Sequence, residues 1–292
     1  MPEGTGVSGN SPLNERGGIT MASRVISALI LAPLFLTVVY LGGIPFLFAC
    51  LVILGFSAWE FVRIYNHDKN CQTPAALLVG MVWLIAISRY FWGFEVAIGC
   101  MTVCIMFSMT WGVFSYEHYS TKAAFGFAVM VTGLVYIGWL GSYLISLRQV
   151  EGGFWWFILC LFVVWMSDIG AFLVGRKLGR HYMLPKVSPN KTWEGFAGGV
   201  ILSMLTAALL HAVIPPISEL MSFPQALLLG LLISAFGSMG DFGESMIKRT
   251  FGVKDSSNLI PGHGGFFDRF DTVFWGMPIG YYFFQLIALG LI

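Results

Sequence analysis

Two stretches in the carboxy-terminal half concentrate residue types that could do chemistry. In SMIKRTFGVKDSSNLIPGHGGFFDRFD, from Ser245 to Asp271, Asp268 and Asp271 stand three residues apart at the mouth of an apolar run. A helix there would put both on one face and offer hard oxygen ligands to Mg2+. Just upstream, Asp241, Glu244 and Lys248 are spaced i, i+3 and i+7, so a continuing helix would project them along one stripe that could face the same metal. Gly262, Gly264 and Gly265 bracket His263, which permits close backbone approach and exposes amides that could cradle phosphate oxygens. His263 could donate to a phosphate, carry a proton or simply occupy the turn. The second stretch, GRKLGRHYMLPKVSPNKTWEG from Gly175 to Gly195, carries five basic residues and one acid, Glu194, and reads as an anion site. Within it Ser188, Lys191 and Thr192 place hydroxyls and a point charge just before an apolar run, where a helix N-terminus favours phosphate. Arg176, Lys177 and Arg180 have a second explanation, since basic residues beside a span also fix orientation and touch anionic lipid heads.

Three further groups need weighing. Asp168 lies in FVVWMSDIGAFLVG, eight residues before Arg176, or about 12 Å of helix. A carboxylate inside an apolar span is costly enough to suggest function, with a buried ion pair as the plain alternative. Glu60 has Arg63 at i,i+3, so a local ion pair accounts for it. The five cysteines, Cys50, Cys71, Cys100, Cys104 and Cys160, avoid the charged carboxy-terminal loops. Packing explains them better than a metal site does.

Membrane-spanning elements must position these residues. The chain has 292 residues, 57% hydrophobic and 11% charged, against about 25% charged in soluble domains. Apolar runs long enough to cross about 30 Å of hydrocarbon recur nine times, at 25–41, 44–64, 75–94, 96–115, 123–147, 153–175, 195–214, 224–243 and 272–292. Runs such as VISALILAPLFLTVVYL leave no polar face to solvate. The expected architecture is therefore an all-α integral membrane protein of about nine transmembrane helices. Short loops rich in Lys and Arg stay cytoplasmic, and with a cytoplasmic N-terminus the tail and the loops after spans two, four, six and eight hold 14 of the 16 such residues. Only Arg89 and Arg148 fall outside. Both polar stretches then face the cytoplasm. Residues 1–22, rich in Gly, Ser, Asn and Pro, are expected to be a disordered tail, with Met21 a plausible natural start. An amino-terminal transmembrane region at 23–151 and a carboxy-terminal catalytic region at 152–292 follow.

The segment from Ser245 to Asp271 resembles the signature of the phosphatidate cytidylyltransferases, also called CDP-diacylglycerol synthases. Ser245, Lys248, Arg249, Lys254, Asp255, Pro261, His263, Gly264, Gly265, Asp268, Arg269 and Asp271 stand at the family's spacing without a departure. SDIGAFLVGRKLG and SPNKTWEG are also similar to the family's polar stretches. The resemblance covers residues 160–292 well, while the amino-terminal half is similar only in being hydrophobic. It implies transfer of the cytidylyl group of CTP to phosphatidic acid, with release of pyrophosphate, in a multi-pass protein of a bacterial cytoplasmic (inner) membrane.

The site roles expected on that resemblance are as follows. Asp268 and Asp271, helped by Asp241, hold Mg2+, and the surplus of carboxylates admits a second cation. Lys248, Arg249 and Arg269 neutralise the developing pyrophosphate. Ser188, Lys191 and Thr192 grip the nucleotide, with Lys254, Gly264 and Gly265 on the substrate-binding side. His263 and Asp168 complete the catalytic set, Asp168 either orienting a basic group or filling the metal shell. CTP, phosphatidic acid and the bilayer are the partners. No nucleic acid polymer is expected, and a homodimer is compatible with such a bundle. A transporter would spread polar residues at mid-depth over several spans. A lipid kinase or another CTP-using transferase would be separated by its product.

Overall fold

Glycine decides where the first apolar runs turn back. The computed structural model describes residues 21–68, 73–119, 121–260 and 264–292, so most of the expected amino-terminal tail lies outside the described residues. Helix α1 (Met21–Leu41) passes to α2 (Gly43–Tyr65) through Gly42, at φ 63° and ψ −153°. The next helical run, α3 (Ala75–His118), is 44 residues long and contains Gly93 at φ 78° and ψ −160°. A straight helix of that length would reach about 66 Å, twice the hydrocarbon thickness. Instead Ser108 Oγ lies 3.7 Å from Met81 Sδ, although 27 residues of straight helix would separate them by about 40 Å. The run therefore folds back on itself at Gly93, a conformation closed to residues with a Cβ.

The next apolar run is α4 (Ala123–Gly133), a π-helical turn (Leu134–Trp139) and α5 (Tyr143–Gln149). After it come α6 (Gly153–Leu178), a β-hairpin, α7 (Trp193–Val213), the short α8 (Pro215–Leu220), α9 (Phe223–Thr250) and α10 (Phe267–Ala288). Six helical stretches among the described residues are long and apolar enough to cross a membrane: Gly43–Tyr65, Ala75–His118, Ala123–Gln149, Gly153–Leu178, Trp193–Val213 and Phe223–Thr250. The chain is a multi-pass α-helical membrane protein.

The expectation of an all-α chain needs one correction. Strand β1 (Tyr182–Leu184) pairs antiparallel with β2 (Ser188–Thr192), Leu184 facing Ser188 and Tyr182 facing Thr192. Pro185 and Pro189 lack the N–H that a helix needs, and both strands are edges, where proline is tolerated. Serine 188 and Lys191 therefore sit on a strand, and Thr192 is the N-cap of α7, its Oγ1 accepting from Gly195 N at 3.1 Å. Thr192 serves there as an acceptor, which leaves its hydroxyl proton to donate.

Helices α6, α7 and α9 are joined by small residues and buried hydroxyls. Ser167 Oγ and Ser234 Oγ lie 2.7 Å apart, and Ser203 Oγ donates to Val163 O at 3.1 Å. A Cβ at Gly170 would lie 2.7 Å from Gly198 O, so α6 and α7 approach backbone to backbone, as small residues allow in lipid. Both arginines outside the basic partition have packing roles. Arg148 donates to Val39 O and Tyr40 O at the end of α1 (2.8 and 3.3 Å), where a helix C-terminus favours a cation. Arg89, 1% exposed, lies 4.3–4.7 Å from the ring centres of Tyr143, Phe94 and Trp139.

Candidate active site

The carboxy-terminal turns of α9 and the first turns of α10 meet at Gly240, where an added Cβ would lie 2.4 Å from Asp271 O and 2.7 Å from the Trp275 ring. Only glycine permits that approach. It brings Asp241 and Glu244 of α9 against Asp271 of α10, each offering an oxygen within 4.8 Å of the others. Glu244 is 1% and Asp271 6% exposed, and Glu244 Oε1 is buried without a hydrogen-bond partner. A buried, unpaired carboxylate oxygen beside two others is costly. Hard oxygens in this arrangement fit Mg2+, and the orphaned oxygen is the observation in favour of that fit.

Two lysines border the cluster. Lys191, on β2, forms an ion pair with Asp241 and sits 4.3 Å from the centre of the Phe242 ring. Lys248 lies 3.1 Å from Glu244 Oε2 and donates to Asp268 Oδ1 at 2.6 Å. Ser245 Oγ donates to Asp241 Oδ1 at 3.2 Å. Strand β2 therefore delivers its lysine to the acidic end of α9 although 50 residues separate Lys191 from Asp241.

Asp268, expected to share a metal with Asp271, is engaged differently from Asp271 in this geometry. Asp268 lies outside the ligand-distance cluster, and its oxygens accept from Lys248 Nζ, from Ser256 N (3.0 Å) and Oγ (2.8 Å) and from Gly265 N (2.8 Å). It anchors the preceding loop to the start of α10. Glu244 occupies the third corner, as the stripe of Asp241, Glu244 and Lys248 along α9 allowed. Asp168 lies in an exposed position on α6, close enough to Asp241, Lys191 and Arg269 to feel their charges. Arg269 is exposed on the first turn of α10. Arg249 is exposed and donates to Val187 O of the hairpin turn at 3.4 Å, so it lies beside β2 rather than at the carboxylates. Lys254 is exposed on the loop. Gly264, at φ 85°, bonds across the loop to Ile260, its carbonyl accepting from Ile260 N at 2.9 Å. The three alternatives for His263 fall outside the described residues.

Two residues of the amino-terminal half reach this site without any local signal in the sequence. Glu60 is fully buried and does not rely on Arg63, which lies over the Trp59 ring at 5.3 Å. Its carboxylate accepts from Ser256 Oγ, Ser257 Oγ, Phe266 N and Phe267 N. The expected local ion pair is thus replaced by contacts with residues 196–207 positions away. Tyr136, in the π-helical turn, donates to Gly240 O at 2.8 Å and packs edge-on against Phe267. Only long-range pairing information could have exposed either role.

Residues 22–287 match the cytidylyltransferase family. Phosphatidate cytidylyltransferase of Bacillus subtilis (strain 168) is 31% identical over 277 residues, which cover 92% of this chain and 100% of the relative. The Staphylococcus saprophyticus protein of the same name is 32% identical and that of Staphylococcus haemolyticus 30% identical, each covering 89% of this chain and 97% of the relative.

Proposed function

Because the chain belongs to the cytidylyltransferase family, we propose that the carboxylates at the α9–α10 junction and the lysines beside them are its catalytic centre. The protein is a nucleotidyltransferase that transfers the cytidylyl group of CTP to phosphatidic acid, forming CDP-diacylglycerol and pyrophosphate for phospholipid synthesis. The observation that carries the assignment of the site is the convergence of Asp241, Glu244 and Asp271 with Lys191 and Lys248 at their edges.

A phosphate oxygen of phosphatidic acid attacks the α-phosphorus of CTP. The new P–O bond forms as the bond to the β-phosphate oxygen breaks, and pyrophosphate departs with its electrons. A phosphate monoester has its second pKa near 6, so the nucleophile is ionised near neutrality and needs no general base. The difficulty is bringing two polyanions together. Mg2+ held by Asp241, Glu244 and Asp271 would supply Lewis-acid charge neutralisation, and the number of carboxylates nearby leaves room for a second cation. Lys191 and Lys248 stand where they can exchange a carboxylate partner for phosphate oxygens. Arg269, exposed on the first turn of α10 and close enough to Asp168 for each to feel the other's charge, suits the departing pyrophosphate. Ser188 on β2, Lys254 and Gly264 on the loop, and Gly265 at the loop's end form the surroundings proposed for the nucleotide. Asp168, near Lys191 and Arg269, suits orientation of those cations.

We further propose nine passes, counting α3 as two and including α1 and α10, with the N-terminus and the polar segments on the cytoplasmic face of a bacterial inner membrane. The support is the distribution of Lys and Arg over the loops. The test is incorporation of cytidine-labelled CTP into lipid by purified protein given phosphatidic acid and Mg2+, beside Asp271→Asn. Label enters the lipid with the wild type and falls by more than about a hundredfold with the variant. Equal labelling by both would remove Asp271 from the mechanism.

A further inference from the structure

Glu60 presents an arrangement that the transfer mechanism does not use. It belongs to α2, far from the signature segment in sequence, yet its buried carboxylate is the meeting point of three pieces of chain. Ser256 and Ser257 of the loop before α10 approach it with their hydroxyls, Ser256 Oγ at 3.0 Å. The first turn of α10 approaches with two backbone amides, Phe266 N at 3.1 Å and Phe267 N at 2.7 Å. These four neutral donors disperse a buried charge, and the two amides belong to a helix N-terminus, where an anion is favoured. At Gly265 an added Cβ would fall 2.4 Å from the Glu60 carboxylate and 2.1 Å from Ser256 Oγ. The backbone therefore lies directly against the carboxylate.

Asp271 follows four residues after Phe267 on the same helix, about 6 Å further along the axis. Any slide or tilt of the first turn of α10 passes directly to the Asp271 carboxylate, because a helix turn is stiff over that distance. Asp268 also ties this turn to α9 and to the preceding loop, through Lys248 and Ser256, and accepts from Gly265 N. Ser256 Oγ lies between the two carboxylates, 3.0 Å from Glu60 Oε2 and 2.8 Å from Asp268 Oδ2. Its single proton can serve only one at a time, while its backbone N–H stays on Asp268.

We propose that Glu60 is a positioning residue for cytidylyl transfer, which clamps the start of α10 to α2 so that the Asp271 carboxylate is held at ligand distance from Asp241 and Glu244. The proposal rests on the metal-site reading given above. It places a determinant of the catalytic centre in the half of the chain that carries no signature motif. Ion-pairing or local helix capping within α2 would make no such link.

The test follows product formation and, separately, the Mg2+-dependent rise in melting temperature of the full chain in lipid micelles across a Mg2+ titration, for wild type, Glu60→Gln, Ser257→Ala and Asp271→Asn. The two midpoints are expected to move together. In Glu60→Gln one acceptor oxygen becomes an NH2 group facing donors, so part of the clamp is lost without a cavity. The half-activating Mg2+ concentration is expected to rise about tenfold, the scale of losses when a group orienting a metal ligand is removed. The KM for CTP at saturating Mg2+ should stay within about threefold of wild type, since no nucleotide contact is lost. Ser257→Ala removes one donor and should shift the Mg2+ midpoint in the same direction by a smaller factor. It also decides the matter should Glu60→Gln fail to fold. A wild-type Mg2+ midpoint in folded Glu60→Gln, or in Ser257→Ala when Glu60→Gln does not fold, overturns the proposal if Asp271→Asn shifts it. A fall in kcat at every Mg2+ concentration with an unmoved midpoint overturns it equally, since that is a structural effect alone. If Asp271→Asn too leaves the midpoint unmoved, the metal-site reading fails, and the positioning role fails with it.

Discussion

Asp268 accepts from Lys248, Ser256 and Gly265, whereas Glu244 keeps one buried oxygen without a partner. The two acids should therefore respond differently to loss of charge. Asp268→Asn leaves Lys248 with half of its carboxylate partners and weakens the loop anchor, so it should lower stability by about 3 kcal/mol with or without Mg2+, as read by melting in detergent. Glu244→Gln removes the other carboxylate of Lys248 but also relieves the unpartnered buried oxygen, so it should cost less metal-free stability than Asp268→Asn, and it should abolish the rise in melting temperature that Mg2+ produces by binding the folded state. Its turnover should fall by about a hundredfold. The reverse pattern would exchange the roles of the two residues. At this scale the sequence showed which acids were candidates, because carboxylates at a span mouth are rare and costly. It could not show how each was satisfied, since the donors to Asp268 and Glu60 include backbone amides and serines that any loop of this composition contains.

Helices α9 and α10 make the site by approaching closely at Gly240. Gly240→Ala forces a methyl group toward Asp271 O and the Trp275 ring, separations of 2.4 and 2.7 Å that backbone and ring must open. Activity should drop by more than about tenfold, because an ångström of misplacement at a reacting centre is enough for that. Insertion and expression should persist, as monitored by detergent-solubilised yield, since the variant remains apolar and helical. Unchanged turnover would mean that the helices tolerate the added separation. The elements themselves were mostly legible from apolar run length. The exceptions have local causes: prolines 185 and 189 favoured a hairpin over a helical start at Ser188, and Thr192 became the cap of α7. The π-helical turn that points Tyr136 at Gly240 has no composition signal, because inserting an extra residue into a helical turn is a response to packing.

For the whole molecule, the proposed topology puts the β-hairpin and the α9–α10 junction on one face of the membrane and the α5–α6 turn on the other. In a background lacking the native cysteines, a membrane-impermeant maleimide applied to intact cells should label Glu151→Cys. It should label Arg180→Cys only after permeabilisation. Labelling of both from outside would contradict the nine-pass arrangement. Arg89 and Arg148, the two basic residues on the expected outer side, fit the scheme because aromatic rings surround one and helix carbonyls hold the other. Neither is available to act as a cytoplasmic topology signal.

By itself, the sequence determined that this is a multi-pass membrane protein, and it marked the stretch from Asp168 to Asp271 as the candidate region for its chemistry. The excess of apolar residues forces backbone satisfaction within helices, and the signature segment is long enough to identify the family. The tertiary structure decided which acids converge, that Lys191 faces Asp241, and that Glu60 holds the start of α10. Those facts depend on elements packed against partners 27–207 residues away, from Glu244 against Asp271 to Glu60 against Phe267. Hydropathy and helical periodicity describe one segment at a time and carry no information about which faces meet.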